Sequence, residues 1–480
     1  MHSVNKVITV TGIFIIVLWM FPTTAASDTT VVYLYPDNYT ANYIGETFPI
    51  QVKIYAVVDL TAYEFKVKFN TTFLKCLGTS IGNLLPPPPR SSYNINIDNN
   101  QGIIYAQVSL QPGENPASGS GSLLTITFNA TSGTSYPWRT SCPLEIIDDN
   151  LYGTGEPPQI ISHQTINGTY QPPYIPPTLN LTIQTSKERL FFNEKLTVTG
   201  GLTGNNYPIP DALIAFEVDT PAGKPIILRS FPTSSLPITG PVEILEVTPC
   251  DQYGTPKYNF LTKSFAYFKV TVKNNDSKNL NITITVNPYD SSNATLGSPY
   301  SPGTIAAGQT TSVTLSVPIE QTAMSGNAIV YANVFTDLPK NGGISLCLEK
   351  KATFTISGST NGDPTIISPP PQGTYITIIN IHYVPYSAGN YTIYTTAQYL
   401  GSYTTKSKKI QVSIVGDIDF DGKVGLSDLT ILAKHYGHRP PDGHSPGTQE
   451  YVYCFNADID GNGIVGLSDL VTLSKNYGKS

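Results

Sequence analysis

An acidic pattern that recurs near the C-terminus restricts two short segments of the chain to one kind of turn. Asp417-Ile-Asp419-Phe-Asp421-Gly422 is followed by Asp428, and Asp458-Ile-Asp460-Gly-Asn462-Gly463 by Asp469. Oxygen-bearing side chains thus occupy positions 1, 3, 5 and 12 of each loop, with Gly at position 6. A hard cation such as Ca²⁺ asks for this arrangement: several oxygens, a sharp turn that only Gly fits, and a late carboxylate that closes the shell. The candidate ligands are Asp417, Asp419, Asp421, the backbone carbonyl of Lys423 and Asp428 in the first copy. In the second they are Asp458, Asp460, Asn462, the carbonyl of Ile464 and Asp469. Position 9 is Gly425 or Gly466, so water has to stand in for a side chain there.

Each loop runs into the same hexapeptide, Val424-Gly-Leu-Ser-Asp-Leu429 and Val465-Gly-Leu-Ser-Asp-Leu470. Leu429, Leu432, Ala433 and Tyr436 then keep helical spacing, as do Leu470, Leu473, Ser474 and Tyr477. Gly437 and Gly478 sit where a helix end favours a left-handed residue. No helical pattern precedes either loop, so the expected unit is a half EF-hand, a loop with its exiting helix. A single acidic loop is as easily a solvated turn, but chance explains two matching copies poorly.

On these residues, 415–480 resembles a type I dockerin, the calcium-dependent plug that docks into a cohesin domain. The resemblance implies two Ca²⁺ ions on the ligands just named and a cohesin-bearing protein as partner. It also places partner contacts at Leu426, Ser427 and Lys434, and again at Leu467, Ser468 and Lys475. That family often carries a hydroxyl pair where this chain has Leu-Ser.

The N-terminus has the form of an export signal over residues 1–26: Lys6, an apolar run from Val7 to Phe21, and small residues through Ala26. Nine Asn-x-Ser/Thr sequons, from Asn38 to Asn390, suit a secreted or cell-surface glycoprotein. The net charge of −6, with no basic patch, argues against nucleic acid as a partner. In an oxidising compartment the cysteines should pair, and the expected disulfides are Cys76–Cys142 and Cys250–Cys347, each inside one domain. Cys454 is left over, close in sequence to His435, His438 and His444. A transition-metal site at these residues is conceivable, but their spacing matches none of the established zinc patterns, so the favoured expectation is histidines lining an exposed helix end.

The rest of the chain is expected to be mainly β. In 28–170, Tyr63, Phe65, Val67 and Phe69 alternate with Glu64, Lys66 and Lys68, and Leu124, Ile126 and Phe128 repeat the period. This segment resembles a cohesin domain or its carbohydrate-binding relatives, through Gly45-Glu-Thr-Phe-Pro-Ile-Gln-Val52, Asp59-Leu-Thr-Ala-Tyr-Glu-Phe65 and Gly119-Ser-Gly-Ser-Leu-Leu-Thr-Ile-Thr-Phe128. The resemblance implies a β-sandwich that receives a dockerin or a glycan. A Pro-rich linker at 171–177 follows. Residues 178–240 and 364–414 each hold too few strands to bury a sheet, so they are expected to form one Ig-like domain split by an inserted Ig-like domain at 241–359. The fold class is therefore mainly β: multidomain sandwiches with a small α-helical dockerin end. No hydrolase elbow, zincin motif or phosphate loop occurs. The expected role is non-catalytic assembly, the alternative a carbohydrate-binding adhesin or accessory protein in polysaccharide catabolism.

Overall fold

The computed structural model describes residues 29–135, 137–233, 240–357, 371–382, 384–440 and 443–480; the export signal expected at 1–26 lies outside them. The chain divides into two compact units, the first ending at Tyr174 and the second running from Ile175 to Ser480, with Ser135–Pro137 assigned to the latter.

The first unit is a β-sandwich whose two sheets share one long strand. Thr47–Lys68 pairs through its first half with Val31–Tyr35 and Ala117–Ala130, and through its second half with Ile103–Leu110 and Cys142–Gly153. Register shifts after Ile54 and Val57, with Ala56 and Asp59 at positive φ, mark where the strand turns from one sheet into the other. The alternation expected from sequence is present: Tyr63, Phe65, Val67 and Phe69 are buried, as are Leu124, Ile126 and Phe128. The linker expected at 171–177 starts inside this unit, since Gly168–Gln171 pairs with Cys142–Leu144 and Asn38–Thr40.

In the second unit, strands from 179–232 and 374–413 complete each other. Ser402–Ser413 and Gly389–Tyr399 join Leu213–Asp219 and Pro225–Pro232 in one five-stranded sheet, while Thr374–Ile379 pairs with Leu196–Gly204 in the facing one. Residues 242–357 form a separate two-sheet sandwich with its own core around Phe268, Val270, Val286, Val330 and Phe354.

The inserted sandwich covers an edge strand of its host. The carbonyls of Ile226 and Leu228, on the outermost strand Pro225–Pro232, accept hydrogen bonds from insert side chains: Asn287 at 3.2 Å, Thr295 at 2.7 Å and Asn333 at 3.0 Å. An open strand edge invites pairing with another chain, and these buried amides and hydroxyl close it. Arg229 on the same strand makes a two-pronged ion pair with Glu349 of the insert, both distances 2.6 Å, and lies 3.5 Å from the centre of the Tyr331 ring. Asp290 of the insert meets His382 of the host at 2.6 Å. Lys340 reaches Asp219 at 3.0 Å, while burial and the adjoining Asp219 push Glu217 up to about 8.

The disulfide expectation is corrected. Among the described residues no disulfide joins any of the five cysteines. Cys76 faces Phe128 across one strand pair and Cys142 faces Tyr170 across another, so each thiol fills a place among core side chains. Cys250 faces Tyr267 in one sheet of the insert, whereas Cys347 packs in the insert core ahead of Lys350–Ser357.

The seam generates a direct stability test. Glu349→Ala strands Arg229, whose side chain is 11 % exposed, without its counter-charge. The expected cost is about 3–5 kcal/mol, measured by denaturant unfolding of the second unit's transition. A change below about 1 kcal/mol would mean that the pair is effectively solvated.

Candidate metal loops and docking faces

Residues 415–480 contain three helices, α1 (Leu426–His435), α2 (Gln449–Ala457) and α3 (Leu467–Asn476). Both acidic loops run into a helix as expected, and Gly437 and Gly478 follow the helices at positive φ. The expectation that no helix precedes a loop is corrected for the second copy, where α2 ends at Ala457, immediately before Asp458. The Thr448 hydroxyl starts α2 by accepting from Tyr451 N–H at 3.2 Å, and Cys454 and Ala457 anchor its buried face. The apolar positions there are too few to declare a helix by period alone.

Each loop is organised by its own backbone donors. Asp417 accepts from Gly422 N–H at 2.9 Å and from Asp421 N–H at 3.1 Å. Asp428, in the first turn of α1, accepts from Ile418 N–H at 2.6 Å and Gly425 N–H at 2.8 Å. The second loop repeats the scheme: Asp458 with Gly463 at 2.9 Å, and Asp469 with Asp460 at 3.0 Å and Gly466 at 2.7 Å. Position 9 therefore serves as a helix cap whose N–H holds the closing carboxylate, a use of Gly425 and Gly466 that the ligand pattern does not reveal. Gly422 and Gly463 stand at φ of 94° and 85°, the left-handed turn that position 6 demands.

Carboxylate oxygens of Asp417, Asp419 and Asp421 lie within 4.8 Å of one another, as do those of Asp458, Asp460 and Asp469. Asp417, Asp428 and Asp469 are fully buried. Burial above all, with Asp428 and Asp419 adding repulsion, pushes the Asp417 carboxyl up to about 6. Asp428 is raised for the same first reason. In the second loop, Asp458 Oδ1 is buried without a hydrogen-bond partner. A donor set of hard oxygens fits a divalent cation such as Ca²⁺. Of the expected ligands, the structure gathers Asp417, Asp419 and Asp421 in the first loop and Asp458, Asp460 and Asp469 in the second, while Asp428 closes the first loop through its backbone donors.

The loops also pack against what precedes them. Gln411, on the last strand of the split sandwich, donates to the Phe420 carbonyl at 2.7 Å, and the Ser413 hydroxyl bonds Asp417. Phe420 stacks on Phe191 with ring centres 5.1 Å apart. Phe420 stands at φ 62°, where the second copy has Gly461 at φ 71°. The stacking offsets a backbone conformation that costs a bulky residue about 1–2 kcal/mol. Ile418, Val424, Leu432, Val465 and Leu473 continue the hydrophobic core of the split sandwich. Sequence reasoning missed Phe191, Gln411 and Ser413; the one available signal was the mismatch between Phe420 and Gly461.

The two repeats are joined by reciprocal backbone bonds. Val465 N–H donates to His438 and Gly437 N–H to Val465, at 2.9 and 2.7 Å; Val424 pairs with Gly478 and Lys479 in the same way, at 2.8 and 2.9 Å. This places α1 and α3 as equivalent elements. Leu426 and Leu467 are 70 % and 66 % exposed, and Ser427, Ser468, Lys434 and Lys475 are exposed beside them. Lys434 is drawn to Glu450 at 2.5 Å.

In the first unit, the strand face opposite the core carries a polar network. Glu64 accepts from Asn150 at 3.0 Å and Tyr152 at 2.8 Å, and Lys66 meets Asp148 at 2.7 Å. Residues 36–150 match the family described as the cohesin domain. The match falls within the first sandwich, which is similar to a cohesin domain. Cohesin domains are non-catalytic. Among solved structures, the chain is similar to a non-cellulosomal cohesin from the hyperthermophilic archaeon Archaeoglobus fulgidus (18 % identity, 31 % of this chain and 91 % of that one, TM-score 0.25). A type I cohesin–dockerin complex from Clostridium thermocellum matches at 15 % identity over 31 % of this chain and 100 % of that one, TM-score 0.26. The seventh ScaB type I cohesin from Pseudobacteroides cellulosolvens matches at 16 %, over 31 % and 94 %, TM-score 0.26. No curated protein matches the chain. Among the described residues, no helix is long and apolar enough to cross a membrane.

The buried Asp417 charge has a measurable signature. Its carboxyl, raised from 3.8 to about 6 without metal, favours the protonated form in the fold, so that contribution fades as pH climbs through 6. In chelator at pH 7, Asp417→Asn should raise the unfolding free energy by an amount on the order of 1–2 kcal/mol, with little difference at pH 4. A decrease at pH 7 would show that the carboxylate is already compensated.

Proposed function

We propose that this chain is a non-catalytic extracellular assembly protein with a docking module at each end. The cohesin-like domain at 36–150 is the receptor half, and its partner is a dockerin-bearing protein. The 415–480 segment is a dockerin-like plug that holds two Ca²⁺ ions and enters a cohesin on a partner. The observation that carries the second half is the duplicated loop–helix with equivalently exposed Leu426-Ser427 and Leu467-Ser468 above two fully buried closing carboxylates. An exposed Leu on each helix gives an apolar anchor, and the Ser and Lys beside it give the polar rim that such interfaces use. Calcium acts on geometry: by neutralising the buried carboxylates it fixes the loops, and the loops fix the starts of α1 and α3. Because the two faces match, one partner can be held in either of two orientations.

The glycan-binding alternative has Trp138, 66 % exposed in the first unit, as its candidate stacking platform. A glycan array with the full chain separates the two readings.

The docking test uses the full chain against a panel of type I and type II cohesin domains, by surface capture in calcium and in chelator. Capture by at least one cohesin in calcium, lost in chelator, is the expected result. Leu426→Asp or Leu467→Asp alone should weaken it by no more than about tenfold, and the pair together should abolish it, since each change costs an anchor worth about 2 kcal/mol or more. Equal capture in chelator, or by the double variant, would contradict the plug assignment.

A further inference from the structure

Four metal-ligating side chains converge where the two loop–helix repeats are connected, and nothing in the docking reading uses them. His435 closes α1, His438 follows just beyond it, His444 lies in the connecting loop and Cys454 sits on α2. One ligand atom from each lies within 4.8 Å of all the others. The His435 ring centre is 5.1 Å from that of His444 and 6.0 Å from that of His438, both pairs meeting edge to face. The sequence expectation of an exposed helix end is corrected for His435, which is 1 % exposed beside the fully buried Cys454; His438 and His444 are not buried.

Neither ring nitrogen of His435 has a hydrogen-bond partner, and Nε2 of His444 is also buried without one. Leaving a buried polar atom unbonded costs about 1–3 kcal/mol, so unbonded ring nitrogens on two neighbouring histidines mark a place built for something else. The Glu450 carboxylate lies 3.2 Å from His435 Nε2, outside hydrogen-bonding geometry.

We propose that His435, His438, His444 and Cys454 form a tetrahedral site for a zinc-class divalent ion. Three imidazoles and a thiolate suit a borderline-soft ion with bonds of about 2.0–2.3 Å, whereas Ca²⁺ takes oxygen. A tetrahedron of such bonds has edges of roughly 3.3–3.7 Å, so the four atoms need only a short inward movement. Backbone bonds hold the frame in place: His438 N–H donates to His435 at 2.9 Å, and the His438 carbonyl accepts from Val465 at 2.9 Å. Glu450 is positioned to orient the His435 ring once the ion is bound, as carboxylates commonly do for ligating histidines. The ion would tie the end of α1 to α2 across the connecting loop and set one repeat against the other. The site is invisible to spacing rules because the fold, not a local motif, assembles it, and it stands independently of the docking reading.

The full chain, purified under reductant and held in excess calcium so that the acidic loops do not compete, is titrated with Zn²⁺ and separately with Co²⁺. One zinc per chain should survive dialysis by elemental analysis, and the cobalt form should show tetrahedral d–d bands together with a thiolate charge-transfer band. Cys454→Ser should remove the charge-transfer band, and both it and His435→Ala should weaken zinc binding by about tenfold or more. Wild-type protein that retains no zinc, or a cobalt spectrum without thiolate character, overturns the proposal without reliance on any variant. Equal zinc affinity in wild type and Cys454→Ser overturns it as well.

Discussion

Carboxylates removed from water set the terms for residues 415–480 of this molecule. Asp417, Asp428 and Asp469 are fully buried, and their own loops supply the N–H groups that hold them. Backbone donors orient a carboxylate and partly compensate its charge, but they do not neutralise several acids gathered in one turn. The upward push on Asp417 and Asp428 is the sign of that deficit. A divalent cation is the compact remedy, and the proposed calcium sites follow from it. The proposed docking faces would depend on the same point, because α1 and α3 begin at the closing carboxylates.

A different treatment of buried charge operates a short distance away in the same unit. Between the split sandwich and its insert, Arg229 has Glu349, His382 has Asp290, and Lys340 has Asp219. Here the protein supplies its own counter-charges, and Asn287, Thr295 and Asn333 satisfy the edge-strand carbonyls. Such a seam specifies one mutual arrangement of host and insert. Asp458 in the second loop, and His435 and His444 nearby, carry buried polar atoms without a hydrogen-bond partner, as do Glu217, Asp219 and Asn333 at the seam.

The sandwiches were legible in sequence wherever one strand face is buried and the other wet, because that condition writes itself as alternation. Tyr63 to Phe69 is the clearest case. The acidic loops were legible because ligand spacing is dictated locally, by the reach of a single turn. What escaped depends on residues distant in sequence. Cys76 and Cys142 sit against different neighbours, which no count of cysteines can show. Phe191 meets Phe420 only after the split sandwich has closed, and His435 is buried only after α2, itself short and weakly periodic, has packed across it. The loop–helix segment shares a core with the split sandwich, through Ile418 and Leu432. Part of its order is therefore supplied by that sandwich rather than by metal.

The central claim is that cation binding compensates the buried acids of both loops, and calorimetric titration of the full chain with Ca²⁺ measures it most directly. The account predicts two ions per chain, one after Asp417→Ala or Asp458→Ala alone, and none after both. Heat for no calcium in the unaltered chain, or two ions still bound by the doubly substituted one, would contradict it.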